Sequence, residues 1–141
     1  MLANLFQYLD CGHGAWLDDD SGQDSDFNDW CSPRKNWRRI YSLDPDEGVP
    51  EHLQHLVLGG EVSLWSEQTD SINLDVMLWP RTSAAAEVLW SGGRDQSGQK
   101  RKQSNASRRL ADMRERLVAR GVRAEPVRMP WCEMEGGCKV P

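Results

Sequence analysis

The stretch GGEVSLWSEQTD, residues 59–70, decides the predicted fold, because its apolar and polar residues alternate as they do in a β-strand. Successive side chains of a strand point to opposite faces, so Trp65 and Glu67 share one face. An indole and a carboxylate that leave the end of a strand on the same side form a combination that can bind a polar ligand.

The run LFQYLD, residues 5–10, predicts a second strand, and it ends with Tyr8 and Asp10 on one face. Aromatic rings pack on the C–H face of a sugar, and carboxylates accept hydrogen bonds from its hydroxyls. Parallel α/β proteins build their sites at the carboxyl ends of several strands. The two pairs together predict a carbohydrate site, although each pair alone is also explained by core aromatics and strand-end acids.

Helical patterns lie between the two predicted strands and after the second one. They occur in CSPRKNWRRIYSLDP (31–45), PEHLQHL (50–56), WPRTSAAAEVLWSG (79–92) and SRRLADMRERLVARG (107–121). We expect the first helix to begin with Ser32 as N-cap and Pro33 as first residue, and the last to end at Gly121. This alternation of strands and helices predicts an α/β fold with parallel βα units.

Composition and charge exclude several classes of function. The 141 residues are 38% hydrophobic and 28% charged, which is typical of one globular domain, and no apolar run approaches the roughly 20 residues of a membrane span. The first residues, MLANLFQYLDCGHG, lack the pattern of a signal peptide. The net charge is -5, yet residues 94–123 are basic. This segment has no aromatic residue for base stacking, so we expect a solvated face and no nucleic acid partner.

The four cysteines fall into two pairs by position, Cys11 with Cys31 and Cys132 with Cys138. An even count suits disulfides in an oxidising compartment. Zinc is the alternative, but these spacings differ from the short knuckles of structural zinc sites. The sequon at Asn105 predicts a glycosylation site and the same secretory setting.

Two other patterns suggest metals and are better explained without them. The acidic run DDDSGQDSDFND, residues 18–29, does not fit a calcium-binding EF-hand loop, which favours a solvated loop. His52 and His55 are three residues apart but have no third ligand in the sequence nearby. We therefore expect neither a metal nor a cofactor.

Four segments resemble the family 20 glycoside hydrolases, specifically the fungal and other eukaryotic β-N-acetylhexosaminidases. They are YLDCG (8–12), LGGEVSLWSEQTD (58–70), LWPRTSAAAEVLWSG (78–92) and PWCEMEGGC (130–138). The resemblance implies a (β/α)8 TIM barrel, of which this chain would supply about two βα units, the seventh and eighth, and would be incomplete on its own. Residues 1–141 would form the C-terminal part of the barrel, with 94–107 a polar surface loop and 108–141 the last helix and a disulfide-closed tail.

The resemblance also implies an activity and a set of site residues. Enzymes of this family remove terminal N-acetylglucosamine or N-acetylgalactosamine, with the acetamide oxygen of the substrate as nucleophile. Tyr8 would donate a hydrogen bond to the acetamide carbonyl, and Trp65 would form part of the pocket wall. Glu67 and Asp10 would bind sugar hydroxyls. The matching cysteines in the family are bonded in the two pairs given above.

One part of the family pattern has no counterpart. The catalytic Asp-Glu pair lies in a motif H-x-G-G-D-E, whereas the adjacent acids here, Asp46 and Glu47, follow a proline in a predicted loop. We therefore expect no catalytic acid in this chain, and the alternative is an inactive chain that binds carbohydrate or a protein partner. Arg81 and Glu87 resemble buried structural charges.

The expected partners follow from the same resemblance. They are an oligosaccharide that ends in N-acetylhexosamine, the N-terminal portion of the barrel and, in the whole enzyme, a second subunit of a homodimer. The whole enzyme is expected to be secreted or vacuolar-lysosomal, and neither nucleic acid nor membrane is an expected partner.

Overall fold

The computed structural model describes residues 8–14 and 28–130. Its helices are α1 (Trp37–Tyr41), a 3-10 helix (Glu51–Leu56), α2 (Leu74–Leu78), α3 (Arg81–Ser91) and α4 (Gln103–Val118). In these ranges no helix has the length and apolar character needed to span a membrane. The 3-10 helix and the two long helices confirm the helical patterns of the sequence.

The two predicted strands are reduced to one parallel bridge, between Tyr8 and Ser63. Residues 8–14 and 28–130 contain no longer strand, so the strand prediction is wrong in extent for this part of the chain. The pairing direction is the parallel one that the α/β pattern requires. Parallel strands are stable when both of their edges and both of their faces are covered, and two short strands alone form a marginal sheet.

Helix α1 begins later than the sequence predicts. The Ser32 hydroxyl donates to the carboxylate of Asp29 at 2.9 Å, so the predicted cap serves another partner. Asn36 is the N-cap instead, and its side-chain oxygen accepts a hydrogen bond from the Arg39 amide at 3.0 Å. The prediction of Ser32 and Pro33 as the helix start is therefore wrong.

Helices α1, α3 and α4 enclose the hydrophobic core. The core consists of Leu9, Trp37, Ile40, Tyr41, Ala84, Ala85, Val88, Ala106, Leu110 and Val127. The small alanines of α3 allow α1 to pack closely against it, because a methyl side chain adds little bulk to the contact. Leu9 comes from the segment that precedes the helices, so the core also holds the residues on either side of Leu9 in place.

Helix α4 begins at Gln103, inside the segment 94–107 that the sequence predicts as a surface loop. Before it, Arg94 and Lys100 form an antiparallel bridge in an exposed turn. Arg101 then donates to the main-chain oxygens of Ser91 and Gly92, which are left free at the end of α3. These two hydrogen bonds hold the connection between α3 and α4 against the end of α3.

Candidate functional site

The two segments with predicted site residues lie side by side in a defined register. Tyr8 and Ser63 form the parallel bridge, and the Leu9 amide donates to the Ser63 carbonyl at 2.8 Å. The Trp65 amide then donates to the Asp10 carboxylate at 3.2 Å. Asp10 is buried, at 7% exposure, and the bond is partly buried. The structure therefore brings Asp10 and the main chain of Trp65 into direct contact.

The aromatic side chains of the site remain accessible. Trp65 is 56% exposed, and Tyr8 is partly exposed. The Tyr8 ring contacts Trp30 edge to face, with ring centroids 5.6 Å apart and an interplanar angle of 72°. Glu67 is exposed two residues beyond Trp65, and within the described residues no hydrogen bond or ion pair joins it to Tyr8 or Asp10. The structure thus brings the segments that carry Tyr8, Asp10 and Trp65 together, with Asp10 buried between them and Trp65 exposed.

Trp30 is a neighbour of the site that the sequence patterns missed. It precedes Cys31, whose disulfide partner Cys11 lies three residues after Tyr8. A disulfide places its two flanking segments together, so this pairing was the signal that could have found Trp30. The structure confirms the Cys11–Cys31 bond, whereas the predicted Cys132–Cys138 pair lies outside the described residues.

A buried carboxylate supports the disulfide. Asp29 accepts hydrogen bonds from the amides of His13 and Cys31, both at 3.1 Å, and from the Gly12 amide and the Ser32 hydroxyl. Burial opposes ionisation of this carboxyl, but the four hydrogen bonds together outweigh it and hold the pKa of Asp29 below its usual value. Asp29, the last residue of the acidic run, is therefore a buried, hydrogen-bonded carboxylate and not part of a solvated loop.

Lys35 adds a buried cation next to these acids. It is 7% exposed, and its ammonium donates to the Cys31 carbonyl at 2.6 Å. Burial lowers the pKa of Lys35, while the nearby charges of Asp29 and Asp10 oppose that shift. The positive charge is close enough to both carboxylates to offset part of the cost of burying them.

The described residues do not form a plausible metal site. Ligand atoms of Asp10, Cys11 and Cys31 lie within 4.8 Å of one another, but both sulfurs belong to the disulfide and cannot act as thiolate ligands. His52 and His55 are exposed on the 3-10 helix.

Two further sequence features take ordinary surface positions. Asp46 and Glu47 lie in the turn at 45–48, away from any strand end in the described ranges, which agrees with the predicted loop. Asn105 is exposed in the first turn of α4, and its glycosylation stays a prediction.

Comparison with known proteins gives one consistent result. The family model described as "Glycosyl hydrolase family 20, catalytic domain" matches residues 1–93. A "Beta-hexosaminidase" of Arthroderma benhamiae is 46% identical over 138 residues, which are 94% of this chain and 22% of that protein. A "Chitooligosaccharidolytic beta-N-acetylglucosaminidase" of Ostrinia furnacalis is 41% identical over 93% of the chain and 20% of its own length.

A mammalian protein is similar over a shorter range. The "Beta-hexosaminidase subunit beta" of Felis catus is 42% identical over 77% of the chain and 20% of its own length. The chain therefore spans about a fifth of the length of the curated relatives it matches. The family match covers the parallel bridge, the disulfide and the Asp10–Trp65 contact, and the chain belongs to glycosyl hydrolase family 20.

Proposed function

We propose that this chain supplies one side of the sugar site of a β-N-acetylhexosaminidase, which hydrolyses terminal N-acetylhexosamine residues. The observation that carries the proposal is the contact between Asp10 and the Trp65 amide, which joins two predicted sugar-binding segments 55 residues apart. Membership of the family and the names of the relatives support the same activity.

The architectural part of the proposal is that the described residues belong to the seventh and eighth βα units of a TIM barrel. The catalytic domain of the family is a TIM barrel, and such barrels take about 250 residues. The parallel bridge between Tyr8 and Ser63 is consistent with neighbouring barrel strands. Large apolar side chains of these units, Leu58 at 95% and Trp90 at 93% exposure, would be covered by the rest of the barrel.

In this proposal, residues 1–141 form the C-terminal part of the barrel, and the last helix, α4, begins at Gln103. The proposed setting is the secretory route, to the outside of the cell or to a vacuole or lysosome, where disulfides such as Cys11–Cys31 are stable. A homodimer of the whole enzyme is part of the same proposal.

The site residues would bind and orient the substrate. The Tyr8 hydroxyl would donate a hydrogen bond to the acetamide carbonyl, which holds its oxygen near the anomeric carbon for attack. The exposed Trp65 ring would pack against the sugar, and Glu67 would accept hydrogen bonds from its hydroxyls. Asp10 would use the carboxylate oxygen that does not accept from Trp65 for another hydroxyl.

The proton for the leaving group would come from outside the described residues. Asp46 and Glu47 lie in a turn and do not fit the acid role, so the family's Asp-Glu pair would be supplied by another part of the barrel. The chain alone would then bind the sugar without hydrolysing it, since protonation of the leaving oxygen contributes about 10²- to 10⁴-fold to such rates.

A chimera tests the function. The segment of the Arthroderma benhamiae β-hexosaminidase that this chain matches is replaced by the chain, and release from a chromogenic N-acetyl-β-glucosaminide is measured. We expect an active chimera. Its Tyr8→Phe variant should lose about 10²- to 10³-fold in kcat, because a hydrogen bond to the reacting acetamide is removed.

Two matched variants control this experiment. Tyr41→Phe removes the hydroxyl of the other tyrosine in the chain, which donates to Glu87, and should leave kcat unchanged. Glu67→Gln should lower kcat/KM roughly 10- to 100-fold, because a charged hydrogen bond is lost, whereas Glu115→Gln on the exposed face of α4 should not. An active chimera that tolerates Tyr8→Phe and Glu67→Gln would refute the proposed roles. A chain that binds the sugar in an inactive chimera would instead favour a binding module.

A further inference from the structure

Arg81 is the most deeply buried charged residue near the proposed site. It is the first residue of α3 and is 1% exposed. A guanidinium carries five N–H donors and no acceptor, and burying it is costly unless these donors find partners. Its contacts therefore show what the charge does in the fold.

The partners of Arg81 are main-chain carbonyls from three segments. One terminal nitrogen donates to the Leu9 oxygen at 2.7 Å, and the other donates to the Lys35 oxygen at 3.3 Å. The Nε donates to the Met77 oxygen at 3.0 Å, and that carbonyl also accepts from Nη2. Met77 is near the end of α2, where carbonyls lack helical partners.

These contacts make a clamp and not an ion pair. Across residues 8–14 and 28–130, no carboxylate oxygen lies within 4.0 Å of the guanidinium. Burial, and secondarily the positive charge of Arg34, lowers the pKa of Arg81 to about 10, so the side chain still carries its charge at neutral pH. A charged donor strengthens each bond to a carbonyl.

The backbone of Leu9 links Arg81 to the proposed site. Its carbonyl accepts from Arg81, and its amide donates to Ser63 in the segment that leads to Trp65. Leu9 itself is fully buried, and its chain neighbours are Tyr8 and Asp10. The amide lies in the peptide that joins Tyr8 to Leu9, and the carbonyl lies in the peptide that joins Leu9 to Asp10, so the two bonds hold the backbone on both sides of Leu9.

We propose that Arg81 is a positioning residue of the sugar site, which acts by holding the Leu9 carbonyl so that Tyr8 stays beside Ser63 and the Asp10 carboxylate reaches the Trp65 amide. This inference rests on the proposed function for its sugar-binding consequence. The contact geometry on which it is based does not depend on that function.

The planar guanidinium is required by this role. Its nitrogens reach carbonyls in three directions at once, from Leu9, Lys35 and Met77. A lysine ammonium is a compact point charge on a flexible stem and cannot span the three acceptors. Replacing Arg81 by lysine keeps the positive charge and removes the clamp.

The test compares Arg81→Lys with Arg101→Lys in the full 141-residue chain. Arg101 also donates to two carbonyls, those of Ser91 and Gly92 at the far end of α3, and is the matched control. Amide hydrogen exchange is followed at Leu9 and Trp65, with Leu110 in α4 as internal reference. Binding of N-acetylglucosamine is measured by titration calorimetry.

The proposal expects a local effect. In Arg81→Lys, exchange at Leu9 and Trp65 should accelerate at least tenfold more than at Leu110, and the affinity for N-acetylglucosamine should fall at least fivefold. Arg101→Lys should change neither. Equal acceleration at all three amides, or none, would overturn the positioning role, because a purely structural residue loosens the fold as a whole.

Two further measurements keep the test decisive. If Arg81→Lys does not fold, it is replaced by Arg81→Gln, which retains one donor group. The second measurement is an NMR spectrum of the wild-type chain, in which a fixed Arg81 guanidinium should give separate signals for its nitrogen-bound protons. One averaged signal would overturn the clamp. If the wild-type chain does not bind the sugar while the exchange pattern is as expected, the proposed function loses support and the positioning of Leu9 by Arg81 stands.

Discussion

Asp29 illustrates how one side chain can be misjudged from its neighbours in the sequence. It ends an acidic run that predicts a solvated loop, yet it is buried and accepts hydrogen bonds from three amides and the Ser32 hydroxyl. These bonds favour the ionised form, and the pKa of Asp29 is lowered although burial acts in the opposite direction. Its contribution to stability therefore depends on pH.

The sign of that dependence follows from the lowered pKa. The stabilisation by Asp29 is fully present above the pKa of the unfolded chain, and it is lost as pH falls through the folded-state value. Asp29→Asn should lower the free energy of unfolding at pH 7 by about 1–3 kcal/mol and flatten its decline below pH ~4. Urea unfolding from pH 7 to pH 2 measures both effects. The control is Asp112→Asn on the exposed face of α4, which should lower the free energy of unfolding by less than about 1 kcal/mol at pH 7. If the free energy of unfolding of Asp29→Asn followed that of the wild type at every pH, the role of Asp29 would be contradicted.

Gly12 is the residue with the least room for a side chain. Its φ is +91°, and a Cβ atom there would lie 1.9 Å from the Arg34 amide nitrogen. Gly12→Ala should destabilise the chain by roughly 2–4 kcal/mol, from backbone strain and overlap together. Gly98→Ala is the matched control, since Gly98 has φ +78° and no atom within 4 Å of its Cβ position. Thermal unfolding should show a clearly smaller loss of stability for Gly98→Ala than for Gly12→Ala. Equal losses would mean that the chain moves at Gly12 to remove the overlap with Arg34.

At the scale of elements, one carboxylate joins three helices. Glu87 of α3 accepts from the Tyr41 hydroxyl of α1 at 2.9 Å and from the guanidinium of Arg109 in α4. Burial, followed by Glu87, raises the pKa of Tyr41, and the hydrogen bond to Glu87 raises that of Arg109. Arg109 also donates to the Tyr41 hydroxyl at 3.3 Å, so the shared acceptor and this direct bond make the two donors interdependent.

A double-mutant cycle measures this interdependence. Tyr41→Phe and Arg109→Met should show a coupling energy of about 0.5–1.5 kcal/mol, a small value because the Arg109 side chain is 53% exposed and screened by water. Tyr41→Phe combined with Arg116→Met, on an exposed pair with Asp112, should be additive within about 0.5 kcal/mol. Additivity in the first cycle, measured by urea unfolding, would show that Glu87 serves its two donors independently.

The helices were predictable where their signals are local. Pro80 and Gly92 bracket α3, and Gly121 follows α4, so the chain itself specifies these boundaries. The start of α1 was not predictable, because Ser32 is taken by Asp29 and this choice depends on the disulfide nearby. Within residues 8–14 and 28–130 the strands were predicted too long, because strand length depends on neighbouring strands, which a sequence window does not contain.

At the scale of the whole molecule, the sequence indicates candidate site residues but not the contacts between them. The alternation in residues 5–10 and 59–70 and the resemblance to the family indicate the candidates Tyr8, Asp10, Trp65 and Glu67. The bond from the Trp65 amide to Asp10 spans 55 residues of sequence, and no local pattern reports such a contact. Their roles in sugar binding stay a prediction until the variants are measured.

The Cys11–Cys31 bond constrains the whole unfolded chain, and this gives the last prediction. The bond closes a loop across a sequence separation of 20, which in the chain-entropy model is worth about 3 kcal/mol. Replacing both cysteines by serine should lower the free energy of unfolding by about that amount. The slope of this free energy against urea should rise, because the unlinked chain exposes more surface when unfolded.

The slope separates the unfolded-state effect from the loss of a native contact. If the bond acts through the unfolded state, hydrogen exchange at folded-core amides such as Leu110 should follow the change in global stability, while the native spectra remain unchanged. Substitution is preferred to a reductant, because it leaves the predicted Cys132–Cys138 pair untouched. A stability loss without a change in slope, accompanied by altered exchange at Leu9 only, would instead assign the effect to the native state, where the disulfide holds Gly12 and His13 beside Asp29.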